Sequence, residues 1–167
     1  MTDIQQCIAD LASNDLSNQR SAAAQLLNAP SCEAAAVELT KAVGSDDELL
    51  VESATGVLES IESISDVQAS TLAELLPSKT FQPHPNTGFW AATLLGRIGQ
   101  RAAPFLDQLI AALDASTNDA VKQKIVWAIG KIGPPASPAS NHLEALVNAS
   151  DKRLARLASQ ALESINS

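Results

Sequence analysis

Two segments, Leu95-Gly96-Arg97-Ile98-Gly99 and Ile129-Gly130-Lys131-Ile132-Gly133, stand 34 residues apart, and each is followed by a Pro-Ala-rich turn and a second apolar stretch. Self-similarity at this period, with two helical segments per unit, is the signature of an α-solenoid. Each unit of a solenoid buries its apolar face only by stacking on its neighbours. The repeat therefore confines the fold to a stack of helix pairs, and the function to the surfaces that such a stack exposes.

The register extends over the whole chain. Leu27, Leu58, Leu95, Ile129 and Leu162 align as the apolar residues near the ends of successive first helices, with spacings of 31, 37, 34 and 33. Four residues earlier stand Ala23, Ala54, Ala91, Ile125 and Ala158, and three residues later Pro30, Ile61, Ile98, Ile132 and Ile165. These offsets put each set on one helical face, and the small residues allow the next helix to come close. The second helices repeat independently: Leu39, Leu72, Leu109 and Leu143 align, each followed four residues on by Val43, Leu76, Leu113 and Val147.

Turn chemistry fits the same frame. Gly99 and Gly133 fall at helix C-termini, where a positive φ is needed. Pro104 and Pro138 fall near the start of second helices, where a missing N–H costs little. Asp46, Asp119 and Asp151 fall where first helices begin, placed to accept orphan N–H groups. Prolines at 77, 83 and 85 exclude a helix over 77–86, so an irregular loop is inserted there and stretches one spacing to 37. The pattern predicts about ten helices, over 2–13, 15–28, 31–44, 46–62, 65–76, 86–98, 101–114, 118–132, 137–149 and 151–166, in a single domain spanning 1–167.

Composition narrows the function. Hydrophobic residues make up 46% of the chain but aromatics only 3%, which suits close-packed Ala- and Leu-rich helices. The net charge of −8 argues against a general nucleic-acid binder, whose affinity rests on Lys and Arg at phosphates. The charge is also uneven. Residues 1–76 carry 13 acids and 2 bases, for −11, and residues 77–167 carry 6 acids and 9 bases, for +3. Cys7 and Cys32 form no disulfide framework. Cys7 shares a stripe with Ile4, Ile8 and Leu11 and reads as core, whereas Cys32 lies at a helix start where the dipole could activate a thiol. No signal peptide is visible, and no apolar run approaches the roughly 20 residues of a membrane span. A cytoplasmic protein is expected.

Residues 119–147 resemble the HEAT-repeat family, in its short bacterial form that also occurs in phycobilisome-lyase-like proteins. Val121-Lys122 and Ala128-Ile129-Gly130-Lys131-Ile132-Gly133-Pro134 look like its first helix and turn, and Pro138 and Leu143 like its second helix. Residues 87–114 match nearly as well, and 1–76 in outline. The resemblance implies an all-α right-handed superhelix of about five helical pairs, with first helices convex and second helices lining the concave side. It also implies a basic residue in a slot held here by Arg20, Val51, Gly88, Lys122 and Ala155, which only Arg20 and Lys122 fill. By the same analogy, a bilin-lyase-like enzyme or its subunit, or a nucleic-acid-binding HEAT protein, are the alternatives to a scaffold.

No His-Glu-x-x-His, Cys-x-x-Cys, phosphate-cradling glycine loop or Gly-x-Ser-x-Gly occurs. The expectation is thus no catalytic residue, cofactor or metal, and a non-enzymatic module that binds another protein. The candidate contacts are rows across the second helices: Glu38, Thr71, Gln108 and His142; Lys41 and Glu74; Ser70, Asp107 and Asn141. His84, between two prolines in the inserted loop, joins them, because an insertion into a regular array is a common place for binding residues. Phe81 beside it is expected to tuck onto the core. Phe89, Trp90 and Trp127 sit at repeat-matched helical positions and read as packing residues. Arg97, Lys122, Lys124 and Arg156 fall on first helices, away from the concave side. Both terminal helices keep polar outer faces, as solenoid caps require. A monomer is expected, with head-to-tail association of the acidic and basic halves left open.

Overall fold

The computed structural model describes residues 3–167 and contains ten α-helices, with no strand among the described residues. They are α1 (Ile4–Leu11), α2 (Leu16–Leu26), α3 (Ala36–Ala42), α4 (Glu48–Ser60), α5 (Asp66–Glu74), α6 (Pro85–Arg97), α7 (Leu106–Ala115), α8 (Asp119–Ile132), α9 (Ser140–Leu146) and α10 (Lys152–Ile165). Each overlaps one helix expected from the sequence; the expected start of the first, residue 2, lies outside the described residues. The fold is an α-solenoid. First helices α2, α4, α6, α8 and α10 alternate with second helices α3, α5, α7 and α9, and α1 closes the N-terminal end against α2.

Side-chain caps set the helix starts. Asp3, Asp15, Asp47, Asn118 and Asp151 each accept backbone N–H groups of the following first turn, as in Leu50 N to Asp47 Oδ1 at 2.9 Å and Val121 N to Asn118 Oδ1 at 3.1 Å. Ser65 and Gln68 form a reciprocal capping box on α5. Asp151 is the cap expected from the sequence. At the other two sites the cap lies one residue away: Asp47 takes the role expected of Asp46, and Asp119 is already helical behind Asn118. Gly99 and Gly133 adopt φ of 57° and 74°, the left-handed region that ends a helix without a Cβ clash. Three second helices begin as 3-10 turns, over Glu33–Ala35, Gly99–Phe105 and Pro134–Ala139. Pro104 and Pro138 lie inside the last two, which is why α7 and α9 start later than the pattern predicts.

The core runs continuously through the stack. Leu39, Leu72, Leu109 and Leu143 are fully buried in the second helices, and Leu58, Leu95 and Ile129 in the first. The register slips at one place. Leu26 is 1% exposed and Leu27 48%, so the α2 stripe is Ala22, Ala23 and Leu26 rather than the one anchored on Leu27. Moving the anchor by one residue also realigns the basic slot. Arg20 on α2 now matches Gln123 on α8, and both reach the cap of the next first helix. The Arg20 guanidinium binds both Asp47 oxygens, and Gln123 Nε2 donates to Asp151 Oδ2 at 2.6 Å.

The array changes character at the proline-rich connection. Helix α6 begins one residue ahead of the expected start at 86, with Pro85, expected in the loop, at a first-turn position that needs no N–H donor. Helix α6 packs on α3, α5 and α8, and lacks the side-by-side packing on α4 that joins α2 to α4 and α8 to α10. Its first turn meets the end of α3 so closely that a Cβ on Gly44 would fall 2.6 Å from Thr87 Oγ1. At the other end, Arg97 occupies the gap. Its guanidinium donates to the carbonyls of Leu58 (2.7 Å) and Ile61 and lies 5.6 Å from the Trp90 ring centroid. Arg101 continues the clamp to Ile64 O (3.0 Å) and Asp66 Oδ1 (2.6 Å). Beyond α6 the first helices lie tightly together. A Cβ on Gly96 would fall 3.1 Å from Ala128 Cα and 2.7 Å from Trp127 Cε3, and one on Gly130 3.1 Å from Ala161 Cα.

Candidate interaction surfaces

The second helices carry nine of the ten candidate contacts. Glu38 and Lys41 share α3 and pair with each other at 2.8 Å. Ser70, Thr71 and Glu74 lie on α5, Asp107 and Gln108 on α7, Asn141 and His142 on α9. Ser70, Glu74, Asp107, Gln108 and Asn141 are exposed, whereas Glu38, Thr71 and His142 are half-buried. The Thr71 hydroxyl donates to Val67 O within its own helix at 3.2 Å. His142 Nε2 stands 3.5 Å from Asp114 Oδ2, linking α9 to α7, and its Nδ1 is enclosed without a hydrogen-bond partner. A groove of about 310 Å³ opens between the inserted loop and α7, lined by Lys79, Asp107, Ile110, Ala111 and Asp114. Asp114 and Glu144 belong to the same helices and escaped the sequence rows because they lie outside the aligned offsets. With them, α3, α5, α7 and α9 hold six carboxylates and one lysine.

The inserted loop is folded onto α7. Ser78 N donates to Phe81 O at 2.7 Å, and Gln82 Nε2 reaches Ser78 O at 2.6 Å and Ala115 O at 3.3 Å. The His84 imidazole has a local role: its Nδ1 accepts from Asn86 N at 3.2 Å and caps α6. The ring also lines a cleft of about 290 Å³ with Pro77, Pro83, Ser116 and Val121. Phe81 does not tuck onto the core but stands 45% exposed, because the short Ser78–Phe81 turn holds it outward.

The first helices present the opposite chemistry. Helices α6, α8 and α10 carry seven Lys and Arg residues against two carboxylates. Trp90 is buried in the core as the repeat position implies, but Phe89 and Trp127 are only partly covered. The Lys124 ammonium lies between them, 4.8 Å from the Phe89 centroid and 4.7 Å from that of Trp127. Burial first, then the neighbouring Arg97 and Arg153 charges, pushes the Lys124 pKa down. Both thiols are buried. Burial, with Asp10 and Asp3 nearby, pushes Cys7 up, and Cys32 Sγ sits 3.6 Å from Ser60 Oγ, a packed position rather than an exposed one.

A family model described as HEAT repeats matches residues 81–163. This stretch is similar to HEAT repeats. The solved structures most like the chain include an engineered protein, 21% identical, covering 99% of this chain and 80% of that one with a TM-score of 0.65. A designed armadillo repeat protein in complex with the peptide (KR)4 is 19% identical and covers 96% of this chain and 80% of its own, at a TM-score of 0.60. At these identities the likeness establishes the helical-repeat fold. A comparison with curated proteins gives no match. The matched stretch begins at the inserted loop and takes in the tight α6–α8–α10 stack, and residues 3–80 continue the same helical alternation outside the matched region. HEAT repeats are a scaffold fold, and no helix among the described residues is long and apolar enough to cross a membrane.

Proposed function

We propose that the protein is a non-enzymatic interaction scaffold whose second-helix face binds an extended basic segment of another protein. The observation that carries this reading is the charge of that face, with six carboxylates against one lysine across α3, α5, α7 and α9. Glu38 is paired with Lys41 and Asp66 with Arg101, which leaves Glu74, Asp107 and Glu144 to meet a ligand, together with Asp114, which stands 3.5 Å from His142 Nε2. Stacked helices bring such groups onto one face, and a chain laid across them can satisfy several at once. Anionic groups on successive helices steer a basic chain toward this face. The (KR)4 peptide held by the designed armadillo repeat protein has the chemistry that this face would select. The groove beside Lys79 and α7 gives the inserted loop a place at one edge of the contact.

The test is fluorescence anisotropy with a labelled peptide of alternating Lys and Arg. Saturable binding that weakens with salt and is lost in an E74K/D107K/D114K variant supports the proposal. Equal binding by the variant, or equal binding of a Glu-substituted peptide, rejects it.

A further inference from the structure

The first-helix side of the matched stretch carries a second surface, independent of the one just proposed. Phe89, Lys124, Trp127 and Arg153 surround a groove of about 140 Å³ between α8 and α10, and Trp127, Lys131 and Leu157 border an adjoining one of about 180 Å³. The floor of the second is Gly130 against Ala161, where the two helices lie too close for a larger residue. Trp127 forms a wall common to both.

Three cations, Lys124, Lys131 and Arg153, border these grooves. Arg20, Lys41 and Arg101 each meet a carboxylate, whereas among the described residues Lys124, Lys131 and Arg153 have none within ion-pair distance. Lys124 is half-buried over two aromatic rings, and Lys131 lies 5.7 Å from the Trp127 centroid. Ring faces hold an ammonium in place, but they do not neutralise it. Lys124, held between two rings, with Lys131 and Arg153 at the rim of an apolar slot, forms the complement of carboxylates flanking an apolar side chain.

We propose that this groove docks an acidic segment of a partner protein, its carboxylates meeting Lys124, Arg153 and Lys131 and a leucine-like side chain entering the slot beside Trp127. Two features favour this occupant. A second copy would bring together two chains of net charge −8, and a nucleic acid would face the same overall repulsion while leaving the apolar floor unfilled. A short acidic segment with an aliphatic side chain meets only the local positive field and covers the floor.

The experiment titrates a peptide of repeated Glu-Glu-Leu into the full chain and follows Trp127 emission, with W127F isolating the contribution of the buried Trp90. A saturable change that weakens with salt, and an affinity about tenfold or more lower in K124E/R153E, is expected. The Leu-to-Ser version of the peptide also binds more weakly. Q25E/N28E, at two exposed positions at the far end of the stack, leaves binding intact and controls for net charge. No binding, or unchanged binding by K124E/R153E, overturns the proposal. So does tighter binding of a single-stranded oligonucleotide, or a sedimenting dimer that K124E/R153E dissolves.

Discussion

Helices α2 and α4 and helices α6, α8 and α10 are rows of the same repeat, yet their outer faces solve different problems. Helices α4, α6 and α8 each carry a glycine that faces a neighbouring repeat, although Gly56 sits three residues earlier in the register than Gly96 and Gly130. In α4 that residue is Gly56, and what approaches it is the Cδ2 methyl of Leu27, a side chain that is 48% exposed. In α6 and α8 the approach to Gly96 and Gly130 is made by a Trp ring and by backbone. The N-terminal outer face is acidic and leaves Leu49 and Leu27 exposed in part, and the C-terminal one is basic and aromatic. Between them α6 departs from α4, and Arg97 joins the two parts through carbonyl groups in place of helix packing. A repeat register therefore fixes which residues are buried far more firmly than it fixes what the outer face presents.

The largest effect expected from breaking this comparison lies in the α2 register. L26A should cost about 2–5 kcal/mol, as a fully buried leucine truncation does. L27A should stay within about 0.5 kcal/mol. Urea unfolding of both variants measures the difference, and equal losses would restore the register anchored on Leu27. The glycines come next. G96A drives a Cβ toward the Trp127 ring and the Ala128 backbone and should destabilise by about 1–3 kcal/mol. G56A meets only a movable leucine end, so helix propensity dominates and up to about 1 kcal/mol is gained. Opposite signs in thermal unfolding are the expected outcome.

At the junction, R97M keeps much of the aliphatic volume but leaves the Leu58 and Ile61 carbonyls without the guanidinium, a loss of about 1–3 kcal/mol. Amide hydrogen exchange should quicken first at the end of α4.

The smallest effect concerns the Arg20–Asp47 rung. The Arg20 guanidinium, and then the Leu50 N–H, hold the Asp47 carboxyl down to about 2. Because the folded-state value is depressed, this contribution is present above the ordinary aspartate range near 3.8 and disappears as pH falls through about 2. R20Q should move the Asp47 carboxyl titration upward in NMR. It should also narrow the stability difference from the native chain as the solution is acidified across that window.

The helix alternation, the second-helix core and the inserted loop were legible in the sequence because apolar spacing and proline placement act locally. The slip at α2 was not. Leu26 and Leu27 are adjacent leucines, and only the packing of α2 on α4 decides which one turns inward. The caps at Asp47 and Asn118 were missed by one residue for a similar reason, since two polar residues compete at each site. The candidate contacts on the second helices were placed on the expected elements, but the pairing of Glu38 with Lys41 and the capping role of His84 depend on side-chain geometry. Phe89 and Trp127 looked like core residues by position. Their partial exposure depends on how α6, α8 and α10 pack, which the repeat position alone does not show.

The most direct test of the account is an amide NMR titration of the full chain with the alternating Lys-Arg peptide. If the second-helix face is the basic-segment site, shifts should concentrate around Glu74, Asp107, Asp114 and Glu144 and leave Lys124, Trp127 and Arg153 unmoved. Shifts centred on α8 and α10, or spread evenly along the chain, would contradict it.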